Sequence, residues 1–144
     1  IFASGDAEVS LFSLCDIGGI EVVTKARVDW APHNSRALID VKTVQRGESG
    51  ARDFSRCVKY DGYGLQAAFY LRLWNACHPN DQRDSFIWVV VEKGAPFVVQ
   101  FYIMEGGELE PYRIAAQEAL ETFAESIREG CFKGDNNLLQ RVEL

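Results

Sequence analysis

The chain offers little that would tie it to a membrane, a metal-thiolate scaffold or a repeat array. No apolar run approaches the roughly 18 residues that a membrane span needs, and no secretory signal pattern opens it. No internal repeat or low-complexity segment occurs. The four cysteines, Cys15, Cys57, Cys77 and Cys131, include no C-x-x-C pair, so a zinc or iron–sulfur site has no local support. Scattered in this way in a mixed α/β composition, they are expected to be buried, reduced thiols of a cytoplasmic protein. The only methionine is Met104, so Ile1 is not an initiator and the chain is expected to be part of something longer. A net charge of −6 argues against a simple nucleic-acid coat.

What is present is a globular composition. The 144 residues are 47% hydrophobic, enough for a core and consistent with one domain spanning residues 1–144. The charge is unevenly spread. Between Lys25 and Lys59 there are eight basic residues and four acidic ones, whereas the remainder is strongly acidic. A basic segment in an acidic chain points to an anionic ligand near it.

Hydrophobic patterning predicts the element order β-β-β-α-α-β-β-α, an α/β fold with a mixed central sheet flanked by helices. Ala7 to Leu14 and Ile20 to Trp30 read as strands joined by the turn Asp16-Ile17-Gly18-Gly19. Ala37 to Thr43 is a third strand. Ala51 to Tyr60 and Asp61 to Ala76 read as helices. Phe86 to Val91 is a nearly continuous apolar run that suits a buried strand, and Phe97 to Met104 follows as another. Glu110 to Glu129 is the longest helix, with Ile114, Ala115, Leu120, Phe123, Ala124 and Ile127 as its apolar stripe and Gly130 as its stop. The residues after Gly134 read as a tail.

The chemistry is concentrated in Asp29 and in the run Ile39-Asp40-Val41-Lys42-Thr43. Residues i and i+2 of a strand share a face, so Asp40 and Lys42 point at one site. Asp29 ends the preceding strand candidate, which places three charged groups at one end of a hairpin. Two acids there can share a divalent cation through oxygen ligands. The lysine can orient a water or neutralise charge developing on a phosphate. An acid-x-lysine triplet alone equally fits a solvated strand edge. The helix that follows reads Tyr63-Gly64-Leu65-Gln66-Ala67-Ala68-Phe69-Tyr70, with Gln66 and Tyr70 on one helical face beside Tyr63.

Together, Asp29, the Asp40-Val41-Lys42-Thr43 block and Tyr63-x-x-Gln66-x-Ala68-Phe69-Tyr70 resemble the PD-(D/E)xK nuclease superfamily, and within it the RecE-type exonucleases of phages and prophages. The resemblance runs from about Glu8 to the end of the long helix. It implies a restriction-endonuclease-like fold and a Mg2+-dependent exodeoxyribonuclease, with Mn2+ able to substitute, that degrades linear double-stranded DNA from a 5′ end for recombination. Asp29, Asp40 and the carbonyl of Val41 would be metal ligands, Lys42 the catalytic lysine, and Gln66 and Tyr70 the helix motif, with Tyr63 a weaker candidate. Double-stranded DNA ends, a single-strand annealing protein and further copies of the chain in a homo-oligomer would be its partners, in the cytoplasm of a bacterial host and with no membrane. The family also takes a histidine or glutamate from a helix well upstream. No histidine precedes His33, so those helices are expected to lie outside this chain, leaving Glu8 only a minor acidic role. Two other functions fit the same residues: an endonuclease of the superfamily, and a non-catalytic DNA-binding module that keeps the fold.

Overall fold

The computed structural model describes residues 2–132. They form β1 (Gly5–Ile17), β2 (Ile20–Pro32), β3 (Ala37–Val44), α1 (Ala51–Tyr60), α2 (Tyr63–Cys77), β4 (Ser85–Glu92), β5 (Val99–Glu105), a 3₁₀ turn (Gly106–Leu109) and α3 (Glu110–Glu129). The five strands make one mixed sheet in the order β1-β2-β3-β4-β5. Only β3 and β4 are parallel, and the crossover between them carries α1 and α2, the length that a parallel connection needs.

The β1–β2 hairpin is long, at 13 residues per strand. Its two-residue turn requires positive φ at both positions. Gly18 and Gly19 supply it, at 59° and 82°, and the Gly19 N–H donates to Asp16 Oδ1 at 2.9 Å. Along β2, Val22, Thr24, Ala26 and Val28 are buried while Val23, Lys25 and Arg27 are exposed, the alternation of a sheet covered on one face. The helices lie on that covered face. Leu120 and Ala124 of α3 pack on Ile17 and Val22 at the hairpin tip. Phe54 of α1 stacks on Tyr102 of β5 at 4.5 Å and meets Trp88 of β4 edge-on at 5.7 Å.

Several boundaries differ from the expected ones. The second helix starts at Tyr63 rather than Asp61, because Gly62 takes a left-handed conformation (φ 80°) at its N-cap. Strand β5 starts at Val99 because the Phe97 N–H turns back to donate to the Gly94 carbonyl. The hairpin strands run past their expected ends, to Gly5, Ile17 and Pro32. The face of α3 is also rotated. It buries Ala116, Leu120 and Ala124, whereas Ile114, Phe123 and Ile127 of the expected stripe are exposed. The small residues Ala116 and Ala124, two turns apart, let the helix backbone come close to its neighbours. At its start, Tyr112 lies so near α2 that a Cβ on Gly64 would stand 2.3 Å from the ring. The four cysteines are free thiols; three are half-buried, but Cys131 is exposed, contrary to expectation, because it follows the helix stop at Gly130. The tail after Gly134 lies outside the described residues.

One buried acid fixes the loop between β3 and α1. Glu92, at the end of β4, is 4% exposed. Its Oε1 accepts from Ser49 Oγ at 2.6 Å and from the Gly47 N–H at 2.9 Å. The Tyr102 hydroxyl donates to the Ser49 carbonyl at 2.6 Å. The Ser49 hydroxyl foremost, with the backbone N–H groups, holds the Glu92 carboxyl below the usual range. A depressed carboxyl contributes stability above its unfolded pKa and loses it as pH falls through the folded value. Glu92→Gln should therefore lower Tm at neutral pH, and its gap from wild type should close below about pH 4. Thermal melts across that range check this; a gap unchanged in acid would mean that shape, not charge, holds the loop.

Candidate active site

Strands β2 and β3 pair at Trp30 and Ile39 and then part. The next two residues opposed across that antiparallel register are Asp29 and Asp40. The ladder is open there, and Asp29 fills the gap with its side chain: Oδ2 accepts the Val41 N–H at 2.8 Å. The two acids thus face each other within the sheet, where its pairing opens, rather than at the end of a hairpin.

Asp40 is the buried member, only 3% exposed. It lies beside Trp88 in the parallel β3–β4 register. Gln66 Nε2 donates to Asp40 Oδ1 at 2.9 Å. Lys42 Nζ lies 2.8 Å from Asp40 Oδ2, so the ammonium is the one polar neighbour of this buried oxygen among the described residues. Burial pushes the Asp40 carboxyl above the usual range, and the nearby Asp29 charge adds to this; Lys42 and Gln66 act against it. The balance describes a carboxylate held in place and short of positive charge.

The structure brings Asp29, Asp40, Lys42 and Gln66 together. Helix α2 lies across β3 with Tyr63 over Lys42, Gln66 over Asp40, and Tyr70 one turn further on. The Tyr70 ring meets Phe86 edge-on at 6.3 Å and makes no hydrogen bond to Asp29, Asp40 or Lys42 among the described residues. Glu8 is ion-paired with Arg27 on the hairpin. Two features were not legible in sequence. Asp29 binds the backbone of the acid-x-lysine strand, and Tyr63 places its ring 4.7 Å from the Lys42 ammonium.

The donor set fits a hard divalent cation. Asp40 Oδ2 is buried with the Lys42 ammonium as its polar neighbour, and Asp29 stands opposite it. In a strand a residue's N–H and C=O point to the same edge, so the Val41 carbonyl faces the opening as its N–H does. Among the described residues no three His, Cys, Asp or Glu side chains converge. Oxygen donors from two carboxylates and a carbonyl, with water completing the shell, suit magnesium or manganese and not a structural zinc.

The family model of a PDDEXK-like domain of unknown function (DUF3799) matches residues 2–132. The chain belongs to this PDDEXK-like family. PDDEXK nucleases generally use divalent metals. A solved structure from Eubacterium rectale named "Putative exonuclease" shares the fold, with a TM-score of 0.68 and 17% identity over 99% of this chain and 56% of that one. A second, SSO0001, aligns with a TM-score of 0.51 and 19% identity over 81% of this chain and 50% of that one. The PDDEXK-like chain therefore spans about half the length of the solved proteins it resembles. No curated protein matches it. None of the described helices is long and apolar enough to cross a membrane.

The Asp40 environment gives a signed prediction. A raised folded pKa means that the ionised acid opposes folding at neutral pH, and that stability rises as pH falls through the raised value toward the ordinary one. Asp40→Asn should keep or raise the Tm of the metal-free protein at pH 7, lack that rise in acid, and abolish Mn2+ binding. Calorimetric titration with Mn2+ beside thermal melts is the measurement. Undiminished binding in both Asp29→Asn and Asp40→Asn would remove the metal from this site.

Proposed function

We propose that this domain is a metal-dependent exodeoxyribonuclease that degrades linear double-stranded DNA, in the 5′ to 3′ direction, during phage-type recombination. The observation that carries the reading is the convergence of Asp29, Asp40 and Lys42 where β2 and β3 part, with Gln66 holding Asp40 Oδ1. Asp29, Asp40 and the Val41 carbonyl would hold Mg2+, which would supply polarisation of the phosphate and a more acidic water. Lys42 keeps its ammonium at the same opening, where it orients that water or offsets charge growing on the phosphate. Gln66 fixes the Asp40 rotamer, so the carboxylate does not reorganise during the reaction. Tyr70 acts from the next turn as the second member of the helix motif.

The basic segment supports a DNA substrate. Lys25 and Arg27 lie on β2, Arg46 on the loop after β3, and Arg52, Arg56 and Lys59 on α1, the elements that carry or adjoin the two acids. Such residues attract a phosphate backbone despite the acidic total. The name of the Eubacterium rectale protein favours exonucleolytic over internal cutting. The same reading gives DNA ends, a single-strand annealing protein and a homo-oligomer as partners, in the cytoplasm of a bacterial host.

The test offers linear and closed circular duplex side by side with Mg2+ or Mn2+. Linear DNA should be degraded and circular DNA spared, with activity falling steeply as salt rises. Lys42→Ala should cost at least about 10²-fold in turnover, and Lys42→Arg should restore little, because a planar fork does not replace a compact ammonium. Equal cutting of both substrates would assign an endonuclease. Binding of DNA without cutting either would assign a non-catalytic module.

A further inference from the structure

The Lys42 ammonium has two neighbours of different kinds. Asp40 Oδ2 is 2.8 Å away. On another side is the face of the Tyr63 ring, 4.7 Å from Nζ to the centroid, inside the roughly 6 Å range in which a ring quadrupole attracts a cation. The Lys42 side chain is 20% exposed, so solvent screens this attraction only in part.

A lysine needs such help here. Its four-carbon stem is flexible and rich in rotamers, and a single carboxylate leaves the ammonium free to swing around it. Binding a metal at Asp40 would also draw on the charge that holds Lys42. A neutral ring has no competing use for the metal, so it can keep the ammonium in place when the carboxylate is engaged elsewhere.

The ring is itself held. Tyr63 packs against Phe54 at 5.9 Å between centroids, and Phe54 is stacked on Tyr102, whose hydroxyl is bound to the Ser49 carbonyl. From the other side, Tyr112 packs against Gly64, the next residue of α2. The left-handed Gly62 starts the helix one residue before Tyr63. Helix start, aromatic stack and close helix contact thus all fix one ring above one ammonium.

We propose that Tyr63 is the positioning residue of Lys42: its ring face, not its hydroxyl, holds the ammonium at the opening between β2 and β3. The pair Tyr63 and Gln66 then works as a clamp, one holding the lysine and the other the acid of the D-x-K strand. The catalytic consequence rests on the nuclease reading above; the contact itself does not.

Two measurements on the full chain separate these. In the metal-free protein, the Lys42 ε-methylene proton resonances should lie upfield of those of the other lysines because they sit over a ring. Tyr63→Phe should keep that shift and Tyr63→Leu abolish it. On linear duplex DNA with Mn2+, Tyr63→Phe should retain kcat, while Tyr63→Leu should lose about three- to thirtyfold, the size of a cation–π contact, with KM little changed. A series placing phenylalanine, monofluorophenylalanine and trifluorophenylalanine at position 63 keeps the packing and drains the ring face of negative charge. kcat should fall stepwise along it while Tm holds, which also settles the matter if Tyr63→Leu does not fold. A flat series, Lys42 resonances unmoved by Tyr63→Leu, or Tyr63→Phe as damaging as Tyr63→Leu would each overturn the proposal. If wild type cuts no DNA, the nuclease reading fails, and the Lys42 resonances still decide whether Tyr63 holds the lysine.

Discussion

A carboxylate buried to 3% exposure constrains the rest of this molecule. Taking Asp40 out of water costs several kcal/mol unless charge and hydrogen bonds compensate. The chain answers from three directions. The same strand returns Lys42 two residues later, a helix brings in the Gln66 amide, and the neighbouring strand stops pairing so that one side of the site stays open. The compensation is incomplete, since burial still pushes the Asp40 carboxyl above its ordinary range. Sites that must receive a ligand commonly keep such a deficit, and stability elsewhere offsets it.

That offset is visible in how the site's walls are made. The strand bearing Asp40 is locked by its parallel partner β4 along its whole length. Beyond it, Glu92 ties down the loop that leaves the strand, and Phe54 sits under that loop in an aromatic stack. On the other side, the hairpin carries Asp29 on a strand supported mainly by β1, and its far tip is braced by α3 through Ile17, Val22 and the Arg128 hydrogen bond to the Gly18 carbonyl. The two acids therefore stand on separately supported pieces of structure that meet at one opening. A cation between them would join two units rather than decorate one.

Much of this was legible in the chain and some was not, for physical reasons. Periodicity reveals elements because side chains repeat with the backbone, and so the element order and the limits of α1 and α3 were readable. The shared face of Asp40 and Lys42 follows from strand geometry alone. The rotation of α3 was misread because counting large apolar residues favours Ile114, Phe123 and Ile127, whereas close packing selected Ala116 and Ala124. Asp29's hold on Val41 depends on where two strands cease to pair, which no local pattern records. The Glu92–Ser49 bond joins residues 43 apart, and a lone buried glutamate at a strand end looks like any surface acid. Tyr63 had a visible signal, its position one turn before Gln66, but its neighbour on the sheet is set by the crossover and not by the helix.

The bond from the Val41 N–H to Asp29 has a consequence of its own. Along β3, successive amides point to opposite edges, and this one points into the opening, away from β4. Among the described residues its hydrogen-bond partner is a carboxylate. The rate at which this amide proton exchanges with water therefore tracks that carboxylate's charge and geometry, slowing when Asp29 is gripped and quickening when it turns away. The backbone carries at that position a native gauge of whatever enters between the two strands, readable without label or substrate.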